Sequence, residues 1–391
     1  MTDRRAYVLG DLDLIRPLAM AGVRCVPVTA SGAPARWSKA TDKGIDLVEV
    51  WHEPARMVDR LLDAAADDEH RPVLFYQRDE DELMISRFRD QLRERFDFVI
   101  GAPDLVEACA DKERFADFAS RAGLRTPVTA VFDTASEPPP PADAFPYPII
   151  VKPALRDFAR WRPVAGVAKA MRFDNPNDAA LAWESFGELG ARLIVQELVE
   201  GDETRVESYH LYATDAGQMR AEFTSRKIRC RPKSFGNSTA LTLSDEADVF
   251  DLGRKICDRL GLTGVAKLDF KRTVDNRLVL LEINPRFTLW AHPAAVAGVN
   301  IPEMVMHDLT HGPPPPGTRV ATPERLTTWC KPWEDVFAAR DHGIGIGEWI
   351  RWAWKCDSKR ALSIHDPGAV VGVGAFMALQ AMAPLRSRLG D

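Results

Sequence analysis

Residues 265–286 contain the pattern that most restricts the fold, two runs of alternating apolar and polar residues around a turn-forming pair. That pair, Asp275-Asn276, consists of residue types that tolerate the positive φ of a tight hairpin turn. A two-residue loop there places Asp269 directly opposite Glu282 on the neighbouring strand. Alternation then predicts one purely apolar face, which consists of Ala266, Leu268, Phe270, Val279, Leu281 and Ile283.

The other face of this hairpin brings two carboxylates together. Directly opposed Asp269 and Glu282 repel each other, so the arrangement requires a compensating positive charge. Asn284, paired with Lys267, lies on the same face, and carboxylate and amide oxygens are ligands that Mg²⁺ prefers. Lys267 and Lys271 are an alternative source of the charge. Spacing alone supports a metal site and a solvated ionic face equally.

Composition and charge exclude several classes of protein. The chain has 391 residues with a net charge of −6, which argues against broad nucleic-acid coating and predicts no nucleic-acid partner. The six cysteines are scattered without a CxxC pair, so neither a disulfide scaffold nor a zinc ribbon is expected. The first residues become acidic before any apolar run typical of a signal peptide, which predicts a cytoplasmic location.

The spacing of strand-like and helix-like segments divides the chain. Residues 1–108 alternate short apolar strands with helical segments, the rhythm of a parallel sheet covered by helices. Residues 109–312 mix helices with mainly antiparallel strands. A proline run at 313–316 then introduces a C-terminal extension, 313–391. The predicted fold class is an α/β domain followed by an α+β domain and this extension.

The stretch from Leu281 to Phe287, LEINPRF, resembles the metal-binding signature of the ATP-grasp superfamily, which includes biotin carboxylase and D-alanine–D-alanine ligase. Further similar segments follow in a consistent order over about 110–312. They are Asp111-Lys112, the strand 149–153 with Lys152, the hinge 194–203 and the loop 223–236. That loop is similar to the loop of D-aspartate-ligase-like and carbamoyl-phosphate-synthetase-like carboxylate–amine ligases.

The resemblance implies an ATP-grasp fold, in which two lobes grip ATP behind an α/β domain at 1–108. The lid lobe is expected at 109–190 and the metal and substrate lobe at 191–312. The implied ATP-binding residues are Lys112, Lys152, Lys169, Gln196, Glu197, Val199 and Glu203. Lys152 and Lys169 would contact the phosphates, because a flexible ammonium suits phosphate oxygens. Glu197 and the backbone near Val199 would contact adenine. Glu203 would accept hydrogen bonds from the ribose.

The same resemblance implies the metal and catalytic residues. Asp269, Glu282 and Asn284 would hold Mg²⁺, or alternatively Mn²⁺, between the β- and γ-phosphates. Arg286 would stabilise the transferring phosphoryl group or the acyl phosphate.

A basic stretch at 226–233 contains two further candidate site residues. Lys227 and Arg229 are two residues apart on a predicted strand, which places them on one face as a clamp for a substrate carboxylate or phosphate. The alternative is a solvated basic strand.

The implied function is an ATP-dependent ligase that joins a small carboxylate to an amine, or to a thiol, through an acyl phosphate and releases ADP and phosphate. Two alternatives stay open at this point. One is a small-molecule kinase with the same fold, and the other is a nucleotide sensor without catalysis. A homodimer is also compatible with the sequence.

The C-terminal extension contains five of the ten tryptophans: Trp329, Trp333, Trp349, Trp352 and Trp354. Residues 368–385 are uncharged, but their length and glycine content suit a helix docked on the body better than a membrane span. Peripheral membrane contact through tryptophan and basic residues is the alternative.

Overall fold

The computed structural model describes residues 4–154, 158–166, 168, 170–360 and 366–386, and for 158–160 and 377–386 it describes the backbone. The N-terminal strands are β1 (Ala6–Leu9), β2 (Cys25–Thr29), β3 (Ile45–Asp46) and β4 (Val73–Tyr76). The helices are α1 (Leu12–Met20), α2 (Pro54–Ala64), α3 (Asp79–Arg87), α4 (Arg89–Leu92) and α5 (Pro103–Ala110), with a 3₁₀ helix at Pro34–Trp37.

The four N-terminal strands form a parallel sheet in the order β3-β2-β1-β4. Strands β1, β2 and β4 are buried along their whole length, because helices cover both faces of the sheet. Their uninterrupted apolar sequences fit that environment. The predicted α/β architecture of the N-terminal region is confirmed.

A smaller antiparallel sheet follows, in the order β5-β8-β6-β7. This small lobe consists of α6 (Lys112–Arg121), β5 (Thr129–Asp133), β6 (Ile149–Pro153), α7 (Phe158–Ala165), β7 (Met171–Phe173), α8 (Pro176–Leu189) and β8 (Arg192–Glu197). Trp161, Trp183 and Phe186 form an aromatic cluster between its helices and its sheet. Because β8 completes the sheet, this lobe continues past the predicted boundary at residue 190.

The large lobe is built on a seven-stranded sheet in the order β13-β12-β9-β10-β11-β14-β15. Its elements are a 3₁₀ helix (Glu203–Arg205), β9 (Val206–Ala213), β10 (Met219–Arg231), β11 (Asn237–Ser244), α9 (Ala247–Leu260), β12 (Gly264–Arg272), β13 (Leu278–Asn284), α10 (Ala291–Val296) and α11 (Ile301–His311). One apolar core joins this sheet to the N-terminal sheet through α1, α10 and α11. The N-terminal domain and the large lobe are therefore held together by shared burial.

The β12–β13 hairpin has the predicted register at its functional end. Asp269 pairs with Glu282, and the neighbouring lysine and asparagine pair as the alternation predicts. A β-bulge follows Asp269, so Phe270 pairs with Leu280 rather than with Leu281. Leu280 is buried in the core and Leu281 lines a cleft, which makes the predicted position of Leu281 on the apolar face wrong.

The C-terminal extension continues the large sheet instead of forming a separate body. It contains β14 (Thr328–Cys330), α12 (Pro332–Asp341), α13 (Ile346–Lys355), β15 (Ser358–Lys359) and α14 (Pro367–Arg386). Strand β14 pairs with β11, and β15 pairs with β14.

The start of α14 docks on the N-terminal domain. Ala369 is fully buried against Leu12, and Gly368 and Gly372 lie against Trp37. This contact agrees with the predicted docked helix. Within the part of the chain that the structure describes, no helix is long and apolar enough to span a membrane.

Candidate functional site

A cleft between the small-lobe sheet and the large sheet collects most of the predicted site residues. Those that line it are Lys112, Lys152, Gln196, Glu197, Val199, Glu203, Lys227, Asp269 and Glu282. They come from segments far apart in sequence, which the two sheets bring to opposite walls. Lys169, predicted as a second phosphate ligand, lies outside the described residues.

The small-lobe wall is organised by the ends of β6 and β8. Lys152 Nζ donates to Gln196 Oε1 at 3.0 Å, and Gln196 Nε2 donates to Thr129 Oγ1 at 2.7 Å. Glu197 Oε2 accepts from the Val128 backbone N–H at 3.1 Å. These bonds hold one lysine and the polar end of a strand at the cleft.

On the large-lobe wall, Glu203 is the centre of a second polar group. Its carboxylate accepts from Lys227 Nζ at 2.9 Å and from the Phe235 backbone N–H at 3.3 Å. Burial opposes the charge on Lys227, but the Glu203 carboxylate outweighs it and raises the pKa of this lysine. Lys227 is therefore a cation at neutral pH.

A further lysine, Lys271, lies on the same wall and donates to the backbone oxygen of Asp202 at 2.6 Å. Burial lowers its pKa, partly offset by the nearby Glu203. The sequence patterns predict Lys271 only as a counter-charge for the opposed carboxylates. The sequence does place Lys271 on the polar face of β12, and this placement indicates that its side chain can reach the cleft.

The carboxylate of Asp269 is held by two neighbours on the sheet. Lys267 Nζ lies 2.5 Å from Oδ2, and Ser208 Oγ donates to Oδ1 at 2.5 Å. Ser208 carries no sequence signal for this role, because pairing between β9 and β12 cannot be derived from spacing within either strand.

The carboxylate of Glu282 has a partner at the start of α6, whose Phe115 and Ala119 pack in the core of the large sheet. Lys112 Nζ lies 3.0 Å from Oε2, and Asn284 Nδ2 donates to Oε1 at 3.1 Å. The ammonium of Lys112 holds the pKa of Glu282 well below its ordinary value, and Lys267 adds to that effect against the cost of burial. The Glu282 carboxylate is thus ionised, and both hairpin carboxylates are paired with lysines.

The side-chain oxygens of the hairpin are of the kind that bind a hard divalent cation. Two carboxylates on directly opposed positions and the amide of Asn284 supply oxygen ligands. In the described residues, no three His, Cys, Asp or Glu side chains converge on one point, so an amide or a ligand oxygen must complete any such site. The alternative of lysine counter-charges is also realised, by Lys267 as predicted and by Lys112 in place of Lys271.

Arg286 lies beside the hairpin but does not line the interlobe cleft. Its guanidinium pairs with Asp79 at 2.5 Å, and donates to the Gln77 backbone oxygen at 3.0 Å and to Asn284 Oδ1 at 3.2 Å. Burial opposes its charge, yet Asp79 raises its pKa overall. Arg286 lines a smaller adjoining pocket that also contains Lys267. The structure places it next to the predicted metal ligands.

Arg229 does not share a face with Lys227, so that prediction is wrong. Lys227 pairs with Leu241, but Arg229 pairs with Ala240, because Ile228 is an extra residue in a β-bulge. The extra residue shifts the alternation of side chains by one position, so Arg229 lies on the face of the sheet opposite to Lys227. There its guanidinium forms a buried ion pair with Asp335 of the C-terminal extension and is not part of a substrate clamp.

A small antiparallel sheet faces a large one across a lysine-lined cleft, which is the arrangement of the ATP-grasp fold that the sequence resemblance implies. Residues 191–329 match the family model described as ATP-grasp in the biosynthetic pathway with Ter operon. Two solved structures share the fold over most of the chain. Biotin carboxylase from Campylobacter jejuni has a TM-score of 0.62 and 14% identity, covering 84% of this chain and 75% of that one. L-amino acid ligase from Bacillus licheniformis has a TM-score of 0.61 and 12% identity, covering 83% and 79%.

Curated relatives have higher sequence identity. The chain is 27% identical over 214 residues to the vancomycin/teicoplanin A-type resistance protein VanA of Enterococcus faecium, covering 50% of this chain and 60% of VanA. It is 25% identical over 226 residues to D-alanine–D-alanine ligase B of Pseudomonas syringae pv. tomato, covering 53% and 65%. The chain thus spans 60–65% of the length of these relatives. The chain therefore has the ATP-grasp fold, as the resemblance at Glu282 and Asn284 predicts, and residues 191–329 are similar to that family.

Proposed function

We propose that this chain is an ATP-dependent carboxylate–amine ligase that works through an acyl phosphate. The observation that carries the proposal is the interlobe cleft, in which lysines from both lobes surround the carboxylates of one hairpin. Lys152 comes from the small lobe and Lys227 from the large lobe, and Asp269 and Glu282 line the same cleft.

The lysine–carboxylate pairs are suited to exchange partners when a nucleotide enters. Lys112 and Glu282 are partly exposed, so their ion pair contributes little stability and costs little to break. A triphosphate offers the lysines a stronger set of anionic oxygens. Lys112, Lys152 and Lys227 would then bind phosphates, and Glu203 would be released from Lys227 to accept from the ribose.

Asp269, Glu282 and Asn284 are the residues that would hold Mg²⁺, or Mn²⁺. The bound cation would offset the negative charge of the phosphates. Gln196, Glu197 and the backbone at Val199 line the end of the cleft where the base would lie.

The reaction has two balanced steps. A substrate carboxylate oxygen bonds to the γ-phosphorus as the bond to the bridging oxygen of ADP breaks. The amine nitrogen then bonds to the acyl carbon, phosphate leaves with the carboxylate-derived oxygen, and the nitrogen loses a proton. Arg286, held by Asp79 beside Asn284, would stabilise the anionic oxygens of the acyl phosphate.

The names of the relatives support an amine acceptor, since they include D-alanine–D-alanine ligases and an L-amino acid ligase. Incubation with Mg²⁺-ATP and a panel of D- and L-amino acids, followed by mass spectrometry, tests the proposal. A ligase yields ADP, free phosphate and a new amide. A phosphorylated amino acid would indicate the kinase instead, and nucleotide binding without ADP would indicate the sensor.

A cytoplasmic location and a homodimer are also proposed, and fractionation and light scattering test them. Peripheral membrane contact has no support beyond the tryptophan content of the extension.

A further inference from the structure

Asp335, in the first turn of α12, is a fully buried carboxylate in the C-terminal extension. It accepts from Arg229 Nε at 2.9 Å and Arg229 Nη2 at 2.6 Å. It also accepts from Thr239 Oγ1 at 2.8 Å and from Trp349 Nε1 at 2.9 Å. Two charge-assisted and two neutral donors satisfy the carboxylate without water.

The partner guanidinium is enclosed on its other side by the same extension. Arg229 Cζ lies 3.9 Å from the centre of the Trp352 ring. The side chains of Arg229 and Asp335 are 7% and 0% exposed. A buried bidentate ion pair is restricted to one geometry, because any displacement of either side chain would leave a buried charge without its partner.

Strands β10 and β11 are both irregular at the positions where Asp335 contacts them. Ile228 is the extra residue of a bulge in β10, immediately before Arg229. Thr239 is the extra residue of a second bulge in β11, directly across. Each bulge interrupts the ladder of hydrogen bonds and bends its strand. The Lys331 N–H also donates to the Thr239 backbone oxygen at 2.8 Å, so the extension replaces part of the lost ladder.

Two residues of the nucleotide cleft flank the bulges, one before the first bulge and one beyond both of them, toward the turn. Lys227 is adjacent to the first bulge, and Phe235 lies in the connection between the strands. Both bind the same carboxylate, Glu203. Their position in the cleft therefore depends on how the hairpin bends at the two bulges.

We propose that the C-terminal extension fixes the bent end of the β10–β11 hairpin, and that Asp335 is the positioning residue through which it does so. Asp335 does not line the cleft, and the one predicted site residue that it contacts is Arg229, whose role as a substrate clamp the structure does not support. Its effect on nucleotide affinity rests on the proposed function, but its effect on the hairpin does not.

The test removes the pair as a unit, since a single substitution would leave a buried charge. The double variant Arg229→Met/Asp335→Leu keeps the volume apolar and is expected to fold. A matched control is Arg231→Met/Asp341→Leu. Arg231 and Asp341 join the same strand to the same helix at 3.3 Å, but are 47% and 43% exposed, and Arg231 lies beyond both bulges, toward the turn.

Hydrogen exchange of the nucleotide-free proteins is the primary readout. The account predicts at least tenfold faster exchange of the 227–239 amides in the Arg229→Met/Asp335→Leu variant, and unchanged exchange in the control. Titration with a non-hydrolysable ATP analogue is the second readout, with at least fivefold weaker binding expected for the first variant alone. Exchange rates equal to those of the control would overturn the proposal.

Arg229→Lys provides a variant that keeps the charge and loses the two-pronged contact. It is expected to fold and to give faster exchange in the same segment, and wild-type exchange there would also overturn the proposal. If the wild-type protein binds no nucleotide, the proposed function fails, while hydrogen exchange still decides the role of Asp335.

Discussion

Two hairpins of the large sheet reach the nucleotide cleft, and they hold their charges in different ways. On β12–β13, the pair between Glu282 and Lys112 is 32% and 29% exposed. On β10–β11, the pair between Arg229 and Asp335 is almost completely buried. An exposed pair forms and breaks at small cost, whereas a buried pair is costly to break from one side.

Exposure to water distinguishes these two pairs. Under the proposed function, the Lys112–Glu282 pair can exchange its partners for a nucleotide and a cation, because water and ligand can replace each partner. The pair behind the β10–β11 hairpin cannot, and it holds the strand that carries Lys227. Substitutions in the partly exposed pair and in the buried pair should therefore differ both in the property that they change and in the size of that change.

The largest effect is expected from Asp335→Leu. The substitution leaves the Arg229 guanidinium buried without a counter-charge, so the free energy of unfolding should fall by about 3–5 kcal/mol. Urea denaturation measures this change. The double substitution with Arg229→Met should recover most of the loss. A single variant as stable as the wild type would mean that the pair is not buried in solution.

A smaller loss of stability is expected at a second contact of the extension, that of α14. A Cβ on Gly368 would clash with the Trp37 carbonyl oxygen, so Gly368→Ala should displace α14 and cost about 1–3 kcal/mol. Gly374 in the same helix has open space around it, and Gly374→Ala should be neutral or stabilising. Thermal melting compares the two. Equal melting temperatures would show that α14 does not dock.

Lys152→Ala should act on the nucleotide rather than on the fold. Loss of one phosphate contact should weaken binding of a non-hydrolysable ATP analogue by about tenfold, or about 1.4 kcal/mol. Calorimetric titration measures the affinity, and Lys255→Ala, which removes an exposed lysine of α9, is the control. Unchanged affinity in a folded Lys152→Ala variant would remove this lysine from the site.

The smallest effect on stability is expected from Lys112→Met. The partly exposed pair with Glu282 should contribute less than about 1 kcal/mol to the free energy of unfolding. Urea denaturation beside Asp335→Leu gives the contrast directly. A loss as large as that of Asp335→Leu would remove the distinction between the two hairpins.

The sequence predicts the fold class and much of the cleft, because those depend on short-range patterns. Turn residues and alternation are sufficient for the pairing of Asp269 with Glu282. The family signature provides the order of the remaining cleft residues. Both kinds of information are contained within single strands and their immediate connections.

Sequence patterns do not predict the position of a side chain that depends on an extra residue in a strand or on a partner far away in the chain. Bulges after Asp269 and at Ile228 reverse the expected faces of Leu281 and Arg229, and no turn residue or glycine marks either position. The pairing of Lys112 with Glu282 joins residues 170 positions apart. The role of Asp335 depends on docking between the extension and the sheet, which the local patterns do not contain.

The most direct test of the proposed ligase is turnover by wild-type protein and by Glu282→Gln in the same assay. Phosphate release and amide formation are measured with Mg²⁺-ATP and the amino acid panel. Glu282→Gln keeps the shape and removes one negative charge from the proposed cation site, so turnover should fall at least tenfold, about 1.4 kcal/mol of barrier, with little change in melting temperature. Equal turnover in the two proteins, or phosphate release without a new amide, would contradict the account.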